Sequence, residues 1–158
     1  HELKEFKSRI VFRFTIGSAD DDLLRLWEPA APSFAERIDS LKLARREGYA
    51  TSVSCEPMLD DNVHAVIKAV RPYVTDKIWL GRANLLKARV ETNRPGDPGF
   101  SERAEALADL MSDEYVTALH ARYKSDTKIE WKESIRRVLR LPPPAELGAK
   151  KKKKKRCS

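Results

Sequence analysis

The sequence predicts an α/β fold of repeated β/α units: a partial (β/α) barrel of three parallel strands with flanking helices, followed by a C-terminal helical region. Three observations carry that prediction. First, Arg9–Ser18 (RIVFRFTIGS), Ala50–Met58 (ATSVSCEPM) and Lys77–Asn84 (KIWLGRAN) are apolar or β-branched runs that end in polar residues. Second, two of these runs are followed by a well-marked helix, and in such folds the carboxyl ends of the strands carry the site. Third, the strands are polar on one face only. Arg13, Thr15 and Gly17 alternate with Phe12, Phe14 and Ile16, and Ser52, Ser54 and Glu56 alternate with Thr51, Val53 and Cys55. Side chains alternate along a strand with period two. A parallel strand buried on both sides is apolar on both faces, so the split suits a barrel lumen or a ligand cleft.

The elements follow in order. After the first strand, the carboxylates of Asp20-Asp21-Asp22 suit the positive end of a brief helix over Leu23–Trp27. Pro29 and Pro32 break it. Ser33-Phe34-Ala35-Glu36 then has capping-box spacing, and Gly48 is a stop signal. Phe34, Ile38, Leu41 and Ala44 line one face of the helix between them. The second strand follows. Asp60 or Asp61 is positioned to cap the next helix, which turns Val63, Val66, Ile67 and Val70 inward and ends at Pro72.

Beyond the third strand the character changes. Arg94–Gly99 (RPGDPG) reads as a loop, and helices are predicted near Ser101–Met111, Asp113–Tyr123 and Lys128–Leu139. Thr127 and Glu130 have capping-box spacing for the last helix, and Trp131, Ile135, Val138 and Leu139 mark its stripe. Pro142-Pro143-Pro144 closes the folded part. The expected organisation is therefore a partial barrel over 1–93, a helical extension over 94–141, and a Pro-rich break with a basic disordered tail over 142–158.

The chain has 158 residues and a net charge of +7. That charge comes from the tail. Lys150–Arg156 holds seven of the 31 basic residues, and the body is neutral at 24 against 24. Binding of nucleic acid is therefore expected to be weak, salt-sensitive and confined to the tail. The length falls short of the roughly 200 residues of a closed eight-unit barrel. The first residue is His1, and the expectation is the C-terminal part of a longer protein. The cysteines, Cys55 and Cys157, have no disulfide or metal spacing. No apolar run approaches the roughly 18 residues of a membrane span, so a reduced, cytoplasmic location without membrane partners is expected.

Candidate site residues sit at the strand exits. Glu56, just before Pro57, is the catalytic candidate, able to accept hydrogen bonds from an amine or a ribose hydroxyl or to act as a base. Its structural alternative is an ion pair with Arg13. Thr15, Ser18 and Ser54 offer hydroxyls for cofactor binding. Arg82 offers a bidentate fork for a carboxylate or phosphate, with Asn84 beside it; a loop salt bridge is the alternative for these two. His64 and His120 lack a neighbouring metal-ligand partner and read as packing residues. Trp27, Trp79 and Trp131 read as core.

FTIGSADDDLLRLWEPAAPSFAERIDSLKLARREGYATSVSCEPMLD, followed by VTDKIWLGRAN, resembles the second half of a radical S-adenosylmethionine protein, in the group similar to spore photoproduct lyase. Glu28-Pro29, Ala31-Pro32, Glu36-Arg37 and Gly48 carry the likeness, which covers roughly Ile10–Asn93. The resemblance implies a partial (β/α)6 barrel. It also implies a 4Fe–4S cluster that cleaves S-adenosylmethionine reductively to a 5′-deoxyadenosyl radical. The family's CxxxCxxC loop is missing from this sequence. The chain would then hold strands four to six, with Thr15, Ser18, Ser54, Glu56, Arg82 and Asn84 near cofactor or substrate, and would be inactive without the N-terminal half of the same protein. The substrate is not legible. The competing expectation is a non-catalytic α/β interaction module whose basic tail binds nucleic acid or a protein.

Overall fold

Strand β1 (Val11–Thr15), helix α1 (Asp21–Trp27), helix α2 (Phe34–Arg46), strand β2 (Ala50–Cys55), helix α3 (Val63–Val70) and strand β3 (Ile78–Leu80) follow one another in the computed structural model of the chain. They are succeeded by α4 (Leu86–Asn93), α5 (Pro98–Leu110), α6 (Asp113–Tyr123), strand β4 (Ile129–Trp131) and α7 (Glu133–Leu139). The structure describes residues 3–83, 86–93 and 96–142. Asn84 and the basic tail lie outside these.

The strands form a four-stranded sheet in the order β1-β2-β3-β4, and every neighbouring pair is parallel. The expected parallel α/β sheet is present, with one strand more than predicted. Ile129–Trp131 is β4, not the first turn of a helix over Lys128–Leu139. Its three residues pair with β3 (Ile78↔Ile129, Leu80↔Trp131). Two hydrogen bonds at its ends hold the register: Ile78 N–H to Lys128 O, at 2.8 Å, and Lys132 N–H to Leu80 O, at 2.8 Å. Glu130 lies inside the strand, so the Thr127–Glu130 capping box does not form. Three residues are too few for a period-two pattern to outweigh the helical stripe at Trp131, Ile135, Val138 and Leu139. The pairing with β3 decides the outcome.

The two faces of the sheet differ as the alternation predicts. Val53, Cys55, Ile78 and Leu80 are fully buried, and Ile129 and Trp131 nearly so. They share one core cluster with Leu24 of α1, Leu41 of α2, Val66 and Val70 of α3, Leu107 of α5, Val116 of α6 and Ile135 of α7. The covering helices therefore contribute to the apolar face. On the other face Arg13 and Thr15 of β1 are exposed, while Ser52 and Ser54 of β2 are buried.

Local chemistry explains most element ends. Ser33 Oγ accepts from the Glu36 amide while the Glu36 carboxylate accepts from the Ser33 amide, completing the predicted capping box. Gly48 ends the helix with φ at +82°, a conformation an L side chain resists. Helix α3 stops at Val70, and Pro72 lies in a 3₁₀ turn over Arg71–Tyr73. Its expected acidic cap differs: Asn62 is the cap residue, and Asp60 instead accepts from the Asn62 amide. Helix α5 starts three residues early, at Pro98, because Asp97 caps the Phe100 amide.

The face split yields a stability prediction. Ile78→Ala should lower the unfolding free energy by about 2–5 kcal/mol, the range for a truncated buried aliphatic. Val11→Thr, on the open edge and half exposed, should change it by less than about 0.5 kcal/mol. Urea denaturation of both variants checks this. Equal losses would contradict the one-sided core.

Candidate functional site

Parity along the strands decides which polar residues meet. Arg13 and Thr15 of β1, Ser52 and Ser54 of β2, Trp79 of β3 and Glu130 of β4 all lie on the face opposite the helical core. Just past the strand ends Glu56, Gly81 and Lys132 keep the same parity. The Glu56 carboxylate pairs with Lys132 Nζ at 3.0 Å, and both side chains are about a quarter exposed (28% and 26%). Ser134 Oγ donates to Glu56 Oε1 at 3.4 Å and accepts the Arg82 amide at 3.1 Å. The exits of β2, β3 and β4 thus converge on one carboxylate. Gly81 makes room for it, since a Cβ there would stand 2.8 Å from Glu56 Oε1.

Arg13 and Glu56 do not pair with each other. Arg13 Nε donates to Ser52 Oγ at 3.3 Å, and its guanidinium lies 5.2 Å from the centroid of the Trp79 ring. Lys132 Nζ is 5.7 Å from the same ring. The Trp79 indole nitrogen is shielded from solvent and has no hydrogen-bond partner among the described residues. On β4, Glu130 pairs with Arg136 Nη1 at 3.1 Å.

The candidates divide accordingly. Thr15, Ser54 and Glu56 share the polar face. Ser18 and Arg82 do not. Each is offset by an even number of residues from a buried core residue (Ile16 and Leu80), so each leaves on the helix side. Ser18 is fully buried; its hydroxyl bonds the Asp60 carboxylate and accepts the Asp20 amide at 2.9 Å. Arg82 pairs with Asp113 at 2.7 Å and reaches the Met111 carbonyl at 3.4 Å, tying β3 to the α5–α6 junction. That is the loop salt bridge its structural alternative predicted. Asn84 lies outside the described residues.

Sequence reasoning missed Trp79, Lys132 and Ser134. Trp79 alternates with Ile78 and Leu80, so period two alone assigns it to the polar face. Lys132 and Ser134 join the site only because β4 exists.

Glu28, Pro32 and Arg37, spread over ten residues of sequence, meet in space. Arg37 is 8% exposed. It donates to Pro32 O at 2.8 Å, to Thr15 O at 3.0 Å and to Glu28 at 2.5 Å. One guanidinium thus ties the exit of β1 to the α1–α2 turn.

Cys55 faces the core, where burial, and then the negative charge of Asp60, pushes its thiol up to about 12. It is a neutral thiol at ordinary pH, suited to packing and not to metal ligation. Among the described residues, no group of three or more His, Cys, Asp or Glu side chains is placed to hold a metal ion. No helix in that part is long and apolar enough to cross a membrane.

A second polar cluster lies between α3 and α6. His64 Nδ1 is 2.9 Å from Tyr123 Oη and its Nε2 is 3.2 Å from Arg122 Nη1. Arginine only donates, so Nε2 accepts and Nδ1–H donates to the tyrosine. The ring borders a cleft of about 140 Å³ with Tyr115, Ala118, Leu119 and Arg122. His120, by contrast, packs edge-on against Trp131, with ring centroids 5.2 Å apart. Among the described residues, neither histidine belongs to a metal-ligand set.

Comparison of the chain with family models, curated proteins and solved structures gives no match.

The His64 contacts set a pH dependence. Burial, followed by the Arg122 charge, lowers the His64 pKa from its ordinary value, with Asp61 acting weakly the other way. The unfolded chain therefore binds the proton more readily than the folded one. His64 contributes stability that is fully present above about pH 6.5 and declines as the pH falls through that value. Urea midpoints taken from pH 7.5 down to 5 should fall more in the wild type than in His64→Gln. Parallel curves would exclude this contribution.

The exposure of the Glu56–Lys132 pair sets a further expectation. Glu56→Gln keeps an acceptor for Ser134 and should cost less than about 1 kcal/mol, as for a partly solvated pair. A loss of roughly 3–5 kcal/mol would mark a buried bridge instead. Thermal unfolding distinguishes the two.

Proposed function

We propose that this chain is the C-terminal half of a partial (β/α) barrel in a radical S-adenosylmethionine enzyme similar to spore photoproduct lyase. In this reading the polar sheet face is its share of the cofactor and substrate pocket. The observation that carries the reading is the sheet itself: four parallel strands in chain order, an apolar face under helices and a polar face opposite. Right-handed connections between sequentially ordered parallel strands all return on one side. A doubly wound sheet reverses its order and carries helices on both faces. A sheet in unreversed order, apolar where the helices pack and polar on the opposite face, is what a barrel wall with a functional lumen requires. The family-like residues Glu28, Pro32 and Arg37 support it by bracing the exit of β1.

The donor set on the polar face suits part of the cofactor. Thr15 offers an exposed hydroxyl and Ser54 a buried one, and Glu56 offers acceptor oxygens to ribose hydroxyls or to an ammonium group. Lys132 and Ser134 hold the Glu56 carboxylate over Gly81, so it meets a ligand with its position already set. The shielded Trp79 N–H is a further donor with no acceptor among the described residues. Ser18 and Arg82 act from behind, fixing the exit loops. When bound, the cluster and S-adenosylmethionine together supply the 5′-deoxyadenosyl radical. Cluster thiolates would come from the N-terminal half of the protein, because Cys55 is sealed in the core.

Two measurements test this. Anaerobic reconstitution of the 158-residue chain with iron and sulfide should give no cluster. The protein extended to include a CxxxCxxC loop should take up one and cleave S-adenosylmethionine to 5′-deoxyadenosine. In that extended protein Glu56→Gln should slow cleavage or turnover by about tenfold or more, on the order of one charge-assisted contact. A stoichiometric cluster on the chain alone, or an extended protein without cofactor cleavage, would refute the proposal. The second result would favour a non-catalytic interaction module.

A further inference from the structure

The polar face has an imbalance of charge and of hydrogen-bond donors. Glu56 is matched by Lys132 and Glu130 by Arg136. Arg13 is not matched. Among the described residues no carboxylate lies within ion-pairing distance of it, and its one hydrogen bond uses Nε. Ser52 makes that bond possible. Its hydroxyl proton goes to Lys77 O at 2.8 Å, leaving a lone pair for Arg13 Nε. With Nε held and the guanidinium beside the Trp79 ring, the two terminal nitrogens project as a free fork. Such a fork matches the two oxygens of a carboxylate or phosphate, and holding it in place beforehand reduces the ordering cost of binding.

Trp79 adds a second unsatisfied donor. A shielded indole N–H without an acceptor is a costly arrangement in a protein interior. The centroid of the Trp79 ring lies 5.2 Å from the unmatched guanidinium, on a face where the exposed Thr15 carries a hydroxyl. The guanidinium and the indole N–H can only donate, whereas the Thr15 hydroxyl can donate or accept. The missing partner therefore carries negative charge and acceptor oxygens.

We infer that Arg13, held by Ser52 and Trp79, is the recognition point for the anionic group, carboxylate or phosphate, of a small molecule lying on this face. The inference deepens the proposed function and rests on its assignment of the polar face as the ligand face. The anion has two sources in that setting, the carboxylate of S-adenosylmethionine or an acidic group of the substrate.

The experiment follows the Trp79 indole N–H resonance of the ¹⁵N-labelled 158-residue chain, assigned through Trp79→Phe, at constant ionic strength. Inorganic phosphate and acetate are the anion probes. S-adenosylmethionine is compared with 5′-methylthioadenosine, which keeps the nucleoside and lacks the carboxylate. At least one anion should shift the resonance to saturation. Arg13→Gln should weaken that binding about tenfold or more, and Arg13→Lys, which keeps the charge and loses the fork, should fall between. Arg25→Gln, at an exposed position of α1, should change nothing. The dispersion of the remaining resonances reports that each variant stays folded.

An effect of S-adenosylmethionine that requires both Arg13 and the carboxylate identifies the cofactor as the source. Saturation by phosphate through Arg13, with the S-adenosylmethionine effect intact in Arg13→Gln, identifies the substrate. A shift that never saturates, or one that is unchanged in Arg13→Gln, overturns the inference. Saturation by an anion through Arg13, with no response to S-adenosylmethionine anywhere in the spectrum, counts against the proposed function and leaves the anion site standing.

Discussion

Parallel strands hydrogen-bonded in chain order, joined by right-handed connections, leave a sheet only one side on which helices can return. Here that constraint acts on strands whose alternation is already divided, with Phe14, Val53, Cys55, Ile78, Leu80 and Trp131 on one parity and Arg13, Thr15, Ser52, Ser54, Trp79 and Glu130 on the other. The apolar set takes the helices and forms the single core cluster. A shift of one residue in any strand would put a polar set under the helices and an apolar set in the open. Register, core and candidate site are therefore one decision.

The exits of the strands are laced together by the backbone. The Met58 amide bonds Gly81 O and the Leu59 amide bonds Gly17 O, each at 3.0 Å. Both glycines stand where a side chain does not fit. A Cβ on Gly17 would come 2.6 Å from Pro57 O, and one on Gly81 would meet the Glu56 carboxylate. The β2 exit is thus pressed against its two neighbours, and Glu56 is delivered over β3 toward Lys132. Ser18 with Asp60 and Arg82 with Asp113 brace the same loops from the helix side. Residues that bear polar groups at strand exits therefore serve two purposes, and parity decides which.

On the open face, neutralisation is nearly complete. Carboxylates are matched to Lys132 and Arg136, and Ser52 satisfies both a carbonyl and a guanidinium. Among the described residues, the exposed Arg13 guanidinium has no carboxylate partner, and the indole N–H of the Trp79 ring 5.2 Å from it has no acceptor. A shielded donor without a partner, such as the Trp79 N–H, calls for an explanation in a way that a solvated charge does not.

The sequence alone determined the features that depend on neighbours a few residues away. These are the alternation of the first two strands, the Ser33–Glu36 capping box, the Gly48 stop and helix α6. Glu56 at the β2 exit was legible for the same reason. Period two also contained the positions of Trp79, Ser18 and Arg82, since each keeps the parity of the strand it belongs to or follows. Tertiary structure decided the rest. Ile129–Trp131 is a strand because β3 supplies its hydrogen bonds from about fifty residues away along the chain. Lys132 and Ser134 reach Glu56 only through that pairing, and Arg37 finds Glu28, Pro32 and the Thr15 carbonyl only once α2 packs beside β1. Propensity and caps are local and can be read along the chain. The partner of a charge depends on distance through space, which only the folded chain sets.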